Sequence, residues 1–134
     1  MSDIYKDYAS NTFFKEREFV CKCGKCSSAY VDAELIKLLT KAREKANIPF
    51  VITSGCRCAT HNKKEGGKPN SDHLYNPEIN DVCCGVDIRC IDDRSRFIII
   101  DALLASGINR IGVGKGFVHA GLPKRNSENS IWIY

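Results

Sequence analysis

Two short apolar runs, GVDI at residues 85–88 and FVHAG at residues 117–121, each carry one ionisable residue, Asp87 and His119. Runs of this kind, bounded by glycine and polar residues, read as strands. A polar side chain buried in a strand without a partner costs about 1–3 kcal/mol, so a fold that buries both must satisfy both. One metal ion shared between them would do so. The chain has only three histidines, His61, His73 and His119, and strands can bring ligands distant in sequence to one side of a sheet. Two imidazoles and one carboxylate suit catalytic zinc, with the fourth position left to water or substrate. His73, Asp87 and His119 are the candidate set. The residues alone leave plainer readings open: His73 as an ordinary loop residue, and His119 as a core histidine bonded to a carbonyl.

The remaining elements follow from periodicity. VDAELIKLLTKAREKAN repeats apolar residues at helical spacing (Val31, Leu35, Leu38, Leu39, Ala42), with Asp32 and Glu34 near its start and Lys41, Arg43 and Lys45 near its end, matching the helix dipole. IPFVITSG reads as a strand leading into an exposed turn, and GVDIRC as a second strand. DDRSRFIIIDALLASG has an acidic start, an apolar body and a terminal glycine, the pattern of a second helix. RIGVG, GFVHAGL and SIWIY read as three further strands, and CRCATHNKKEGGKPNSDH as a long polar connection. The expected fold is one α+β domain spanning residues 1–134, with helices packed on a mainly antiparallel sheet. The connection from residue 56 to residue 84 is unusually long for a compact domain and holds two of the three histidines, which marks it as functional.

Composition narrows the partners. Twenty basic and 16 acidic residues give a formal charge of +4, and the basic residues are spread along the chain, so charge does not indicate nucleic-acid binding. No apolar run reaches the roughly 20 residues of a membrane span. MSDIYKDYASN lacks the basic start and apolar stretch of a secretory signal, which predicts synthesis in the cytoplasm. The expected state is a monomer. Eight cysteines stand at positions 21, 23, 26, 56, 58, 83, 84 and 90. Of these, only Cys23 and Cys26 have the Cys-x-x-Cys spacing of a structural zinc pair, so free or buried thiols and a metal or disulfide among the clusters both stand as readings.

The series TSGCRCATHN, EGGKPNSDH, GVDI, RIGVGKGFVHAGL and a terminal aromatic segment, with EFVCKCGKC leading in, resembles the zinc D-alanyl-D-alanine carboxypeptidase family of peptidoglycan peptidases. The likeness covers most of the chain from Phe19 onward. It implies the hedgehog/D,D-peptidase fold, Zn2+ as cofactor and a peptidoglycan peptide as substrate. Its zinc is held by the histidine of a Ser-x-His segment, the aspartate of a Gly-Val-Asp-Ile-like strand and the histidine of a Phe-Val-His strand, which correspond here to His73, Asp87 and His119. The implied activity is metal-assisted hydrolysis of a peptide bond, of D,D-carboxypeptidase or endopeptidase type. Arg57 matches the family arginine and is the candidate catalytic residue, binding a substrate carboxylate or stabilising the developing oxyanion. Ser71 either binds substrate or orders the turn before His73. His61 and Asn62 are assigned a structural role first.

Two departures stand out. LYNPEINDVCCGV places thirteen residues between His73 and Asp87, where relatives have a shorter segment. That insertion is expected to form a flap beside the metal, reshape substrate access or add a thiol ligand. Relatives also carry an acidic group close to the last histidine, whereas GKGFVHAGLPK has none, and Gly116 and Gly121 occupy the equivalent positions. Glu78, Asp81 and Glu128 are the candidates to replace it. The competing function is a catalytically silent zinc-binding recognition or virion module of the same fold, as hedgehog signalling domains resemble relatives that keep the zinc site. A cysteine-rich redox or metal-storage protein is a third. Access to the wall would come through lysis, a virion or a separate release system, which fits a phage or prophage origin.

Overall fold

The computed structural model describes residues 3–79 and 81–134. Helix α1 (Ala33–Ala46) starts where expected, because the Asp32 carboxylate accepts from the backbone N–H of Glu34 and Leu35 and so satisfies donors that the first turn leaves open. It ends at Asn47, which takes the left-handed conformation with φ 55°. The predicted second helix is α3 (Asp93–Ser106), capped by Asp92 on Ser95 N–H and terminated by Gly107 at φ 101°. In both helices the apolar stripe packs inward, with Leu35, Ile36, Leu39, Ile99 and Leu103 buried, and the two helices pack against each other.

Five strands form one sheet in the order β1-β2-β4-β3-β5: β1 (Ile52–Ser54), β2 (Gly85–Arg89), β3 (Arg110–Val113), β4 (Phe117–Gly121) and β5 (Ser130–Ile133). Pairing is antiparallel except between β3 and β5, so the expectation of a mainly antiparallel α+β sheet is met. Strand β1 is shorter than predicted. Its register with β2 shifts between Ile52 and Ser54, an irregularity within the ladder.

Residues directly opposite across a ladder point to the same face. Val86 faces Ala120 and Ala120 faces Ile111, while Ile88 faces Val118; all are buried in the core. The alternate row is Ser54, Asp87, His119 and Gly112. Alternation alone thus puts Asp87 and His119 side by side on the sheet face turned away from that apolar row.

The long connection is more structured than predicted. ATHNKK forms a short helix, α2 (Ala59–Lys64), which carries no apolar stripe and so gave no periodic signal. Its Asn62 is buried and donates to Lys68 O, and a Cβ on Gly67 would lie 2.0 Å from Asn62 Oδ1. Asn62 therefore pins the turn after α2, the structural role expected of it. Within the described residues, no helix is long and apolar enough to cross a membrane.

Candidate metal centre

His73, Asp87 and His119 each offer a ligand atom within 4.8 Å of the others, and all three are buried. The structure thus gathers the predicted trio. Asp87 and His119 are supplied by β2 and β4. His73 is supplied by a turn within the long connection, held by two bonds: its N–H donates to Ser71 Oγ, and its carbonyl accepts from Arg57 N–H at 2.7 Å.

The ring nitrogens can be assigned from their partners. His73 Nδ1 lies 2.7 Å from Gly55 O, and a carbonyl only accepts, so Nδ1 carries the hydrogen. His119 Nε2 lies 2.9 Å from Asp72 Oδ2 and donates to that carboxylate. Burial raises the Asp72 carboxyl, but the hydrogen bond and charge of His119, with Asn126 and Arg110, outweigh it and hold the group ionised. The other two nitrogens, His73 Nε2 and His119 Nδ1, both face Asp87 Oδ1, at 3.2 and 2.9 Å. Two lone pairs and a carboxylate oxygen converge, and such an arrangement needs positive charge among them, as protons or as a cation. Burial also acts to raise Asp87, yet His119 and His73 keep it well below the ordinary carboxylate range. Burial disfavours the His119 cation, and Asp72 and Asp87 reverse that. Ligands about 2.0–2.1 Å from a tetrahedral zinc stand about 3.3 Å apart, and the two separations from Asp87 Oδ1, 3.2 and 2.9 Å, lie near that value, so the donor set suits zinc.

Asp72 was not singled out from the sequence, and its position answers the missing acidic group. A Cβ on Gly121 would lie 2.5 Å from Asp72 Oδ2 and 3.1 Å from His119 Nε2, and one on Gly85, the cross-strand partner of Gly121, would lie 2.5 Å from Asp72 Cβ. The carboxylate of Asp72 therefore fills the space that a side chain at residue 121 would occupy. There it accepts from His119, from Arg110 Nε at 3.2 Å and from Asn126 Nδ2 at 3.0 Å. It orients the imidazole from behind, as acceptors behind metal-bound histidines do.

Among the described residues, none of the insertion lines the pocket over the trio, so the expected flap is not seen there. Glu78 and Asp81 line a separate depression together with Cys26 and Tyr75, and Asp81 pairs with Arg125 at 2.9 Å. Glu128 does not line the metal pocket either. Cys83 is buried 2.9 Å from Cys56 Sγ, and burial pushes the Cys84 thiol up to about 12. Neither thiol joins the trio. None of Glu78, Asp81 and Glu128 lines the pocket over the trio; the insertion packs instead at α1's N-terminal side, where Asp32 N–H donates to Cys83 O.

A pocket of about 660 Å³ opens over the trio. Arg57 stands on its wall with Nη2 3.8 Å from Asp87 Oδ2, and Ser54 Oγ accepts from its Nε. Ser71 also lines it, although its Oγ is used in the turn to His73. The opposite wall comes from β5: Trp132 lies 5.5 Å from the His119 ring and 4.8 Å under the Arg110 guanidinium. Trp132 and Tyr134 reach over Gly112, where a Cβ would lie 2.5 Å from Tyr134. Glu65, at the end of α2, is the one carboxylate on the pocket wall, among the described residues, that touches neither histidine of the trio.

Comparison with curated proteins gives no match. The profile described as Peptidase M15 matches residues 12–121, most of the chain, and spans His73, Asp87 and His119. Peptidases of that family are zinc-dependent, which agrees with a buried His-Asp-His donor set. The chain belongs to the peptidase M15 family.

Proposed function

We propose that the chain is a zinc peptidase that hydrolyses peptide bonds of peptidoglycan, acting as a D,D-carboxypeptidase or endopeptidase. The observation that carries the reading is the convergence of His73 Nε2 and His119 Nδ1 on Asp87 Oδ1. These three residues are the metal ligands. The chemistry a bound zinc contributes is polarisation of a peptide carbonyl and a lowered pKa of water. Arg57 presents its guanidinium beside the ligand set, where it can bind a substrate carboxylate or the developing oxyanion by charge-assisted hydrogen bonds. Glu65 is assigned the proton-accepting role, since Asp72 is committed to His119, Arg110 and Asn126. Ser71 shapes the turn and adds a polar rim, while Trp132 and Tyr134 give the substrate an apolar wall. On this reading the domain works as a monomer and meets the wall on lysis or from a virion.

A second reading is favoured by one observation: the space near the last histidine is filled by a carboxylate tied to three partners. In that case the same pocket binds a wall peptide without cutting it. Incubating zinc-loaded protein with muropeptides and following product masses separates the two. Cleavage that disappears in His73→Ala and falls by about 10²-fold or more in Glu65→Gln, with zinc retained in the latter, supports the peptidase. Peptide binding with full zinc occupancy and no product supports the silent module and rejects the first reading.

A further inference from the structure

Cys21, Cys23, Cys26 and Cys58 bring their sulfurs within 4.8 Å of one another, a second cluster separate from the trio. Sequence spacing pointed only to Cys23 and Cys26. The other two join because the lead-in loop folds against the start of α2, which places Cys21 Sγ 3.8 Å from Cys58 Sγ; Cys23 Sγ and Cys26 Sγ stand 3.4 Å apart. Four thiolates about 2.3 Å from a tetrahedral zinc are about 3.8 Å apart, so the cage is near the size needed. Gly24 adopts φ +83° with open space around it, the conformation that lets the chain reverse between Cys23 and Cys26.

Donors already point at the sulfurs. Lys25 N–H reaches Cys23 Sγ at 3.3 Å, Cys58 N–H reaches Cys21 Sγ at 3.4 Å, and Tyr75 Oη–H reaches Cys26 Sγ at 2.8 Å. Hydrogen bonds from backbone and hydroxyl groups to sulfur are what anionic ligands require.

We propose that these four cysteines hold a second, structural zinc ion. Binding is balanced as Zn2+ replacing four thiol protons, which pass to the buffer, with no change of oxidation state. A four-sulfur tetrahedral site suits zinc or iron among common metals, and the closed ligand set leaves no position for substrate. The centre also positions the pocket over the trio. Cys58 follows Arg57 directly, Arg57 N–H donates to His73 O, and Tyr75, which caps Cys26, donates its N–H to Arg57 O. Clamping Cys58 and Tyr75 to the lead-in loop therefore fixes the segment that carries Arg57 and His73.

This inference does not rest on peptidase activity, and its test reads metal content and ligand type. Full-length wild type, His73→Ala and the double variant Cys23→Ser/Cys26→Ser are purified from zinc-supplemented cells under reducing conditions. Each is measured by elemental analysis and zinc-edge X-ray absorption. Two zinc ions per chain are expected in wild type, with both sulfur and nitrogen or oxygen neighbours. His73→Ala should retain one zinc surrounded by sulfur at about 2.3 Å, and the cysteine variant should lose that sulfur shell. A His73→Ala protein with no sulfur-bound zinc overturns the proposal, as does iron in place of zinc, or an intact mass showing these cysteines paired as disulfides. Because His73→Ala leaves the cysteines untouched, the proposal remains testable even where the cysteine variant fails to fold.

Discussion

Replacing Gly121 by alanine adds one methyl group where the structure has no room for it. The new Cβ would lie 2.5 Å from Asp72 Oδ2, and since such contacts need about 3.0 Å or more, the carboxylate must retreat by about 0.5 Å. It cannot do so freely, because the same oxygen accepts from His119 and from Arg110. The methyl also stands 3.1 Å from His119 Nε2, so it wedges into the bond that orients this ligand. Loss of an acceptor behind a metal-bound histidine lowers metal affinity about 10–100-fold, which is about 1.4–2.7 kcal/mol. A charge-assisted hydrogen bond is worth about 1.5–3 kcal/mol, in agreement. Competition titration of zinc against a chromophoric chelator reads this directly, with circular dichroism confirming that the fold is kept. Asp72→Ala should weaken zinc to a similar degree, and Gly121→Ala in that background should add little, because the clash is gone. Wild-type zinc affinity in Gly121→Ala would refute the reasoning, and so would full additivity of the two changes.

Three other outcomes follow from the same geometry. Arg57→Ala should reduce the rate of peptide cleavage by about 10²–10³-fold while zinc occupancy stays constant, checked by steady-state kinetics alongside metal analysis. Asp32→Ala removes the cap of α1 and should destabilise the fold by about 1 kcal/mol in urea denaturation. At the start of α3, the backbone and hydroxyl hydrogen bonds of Ser95 hold the Asp92 carboxyl below its ordinary value. A depressed folded-state value means that this contribution is present above about pH 3.9, the unfolded value, and is lost as pH falls through the folded one. The stability difference between wild type and Asp92→Asn should therefore shrink on acidification below about pH 4 and stay level above it.

The parts of the fold legible in the sequence were those with periodic signals. Both long helices showed their apolar stripes and end residues, and Asp87 and His119 stood out because apolar strands rarely carry lone ionisable groups. Helix α2 was missed because ATHNKK is short and polar throughout. Asp72 was missed for a different reason. In SDH it reads as a loop residue, and its role depends on the absence of side chains at Gly85 and Gly121, one thirteen and the other 49 positions further along the chain. Cys58 likewise meets Cys21 across a separation of 37 residues, which no spacing rule covers. Local pattern reveals which residues are unusual, whereas the partners that satisfy them are set by long-range packing.

The assignment of the metal ligands is tested most directly by a crystal of zinc-loaded protein measured on both sides of the zinc absorption edge. The account predicts an anomalous peak about 2.0–2.2 Å from His73 Nε2, an Asp87 carboxylate oxygen and His119 Nδ1 together, with His119 Nε2 still on Asp72. An anomalous map of the zinc-loaded protein with no peak among these three atoms would contradict it.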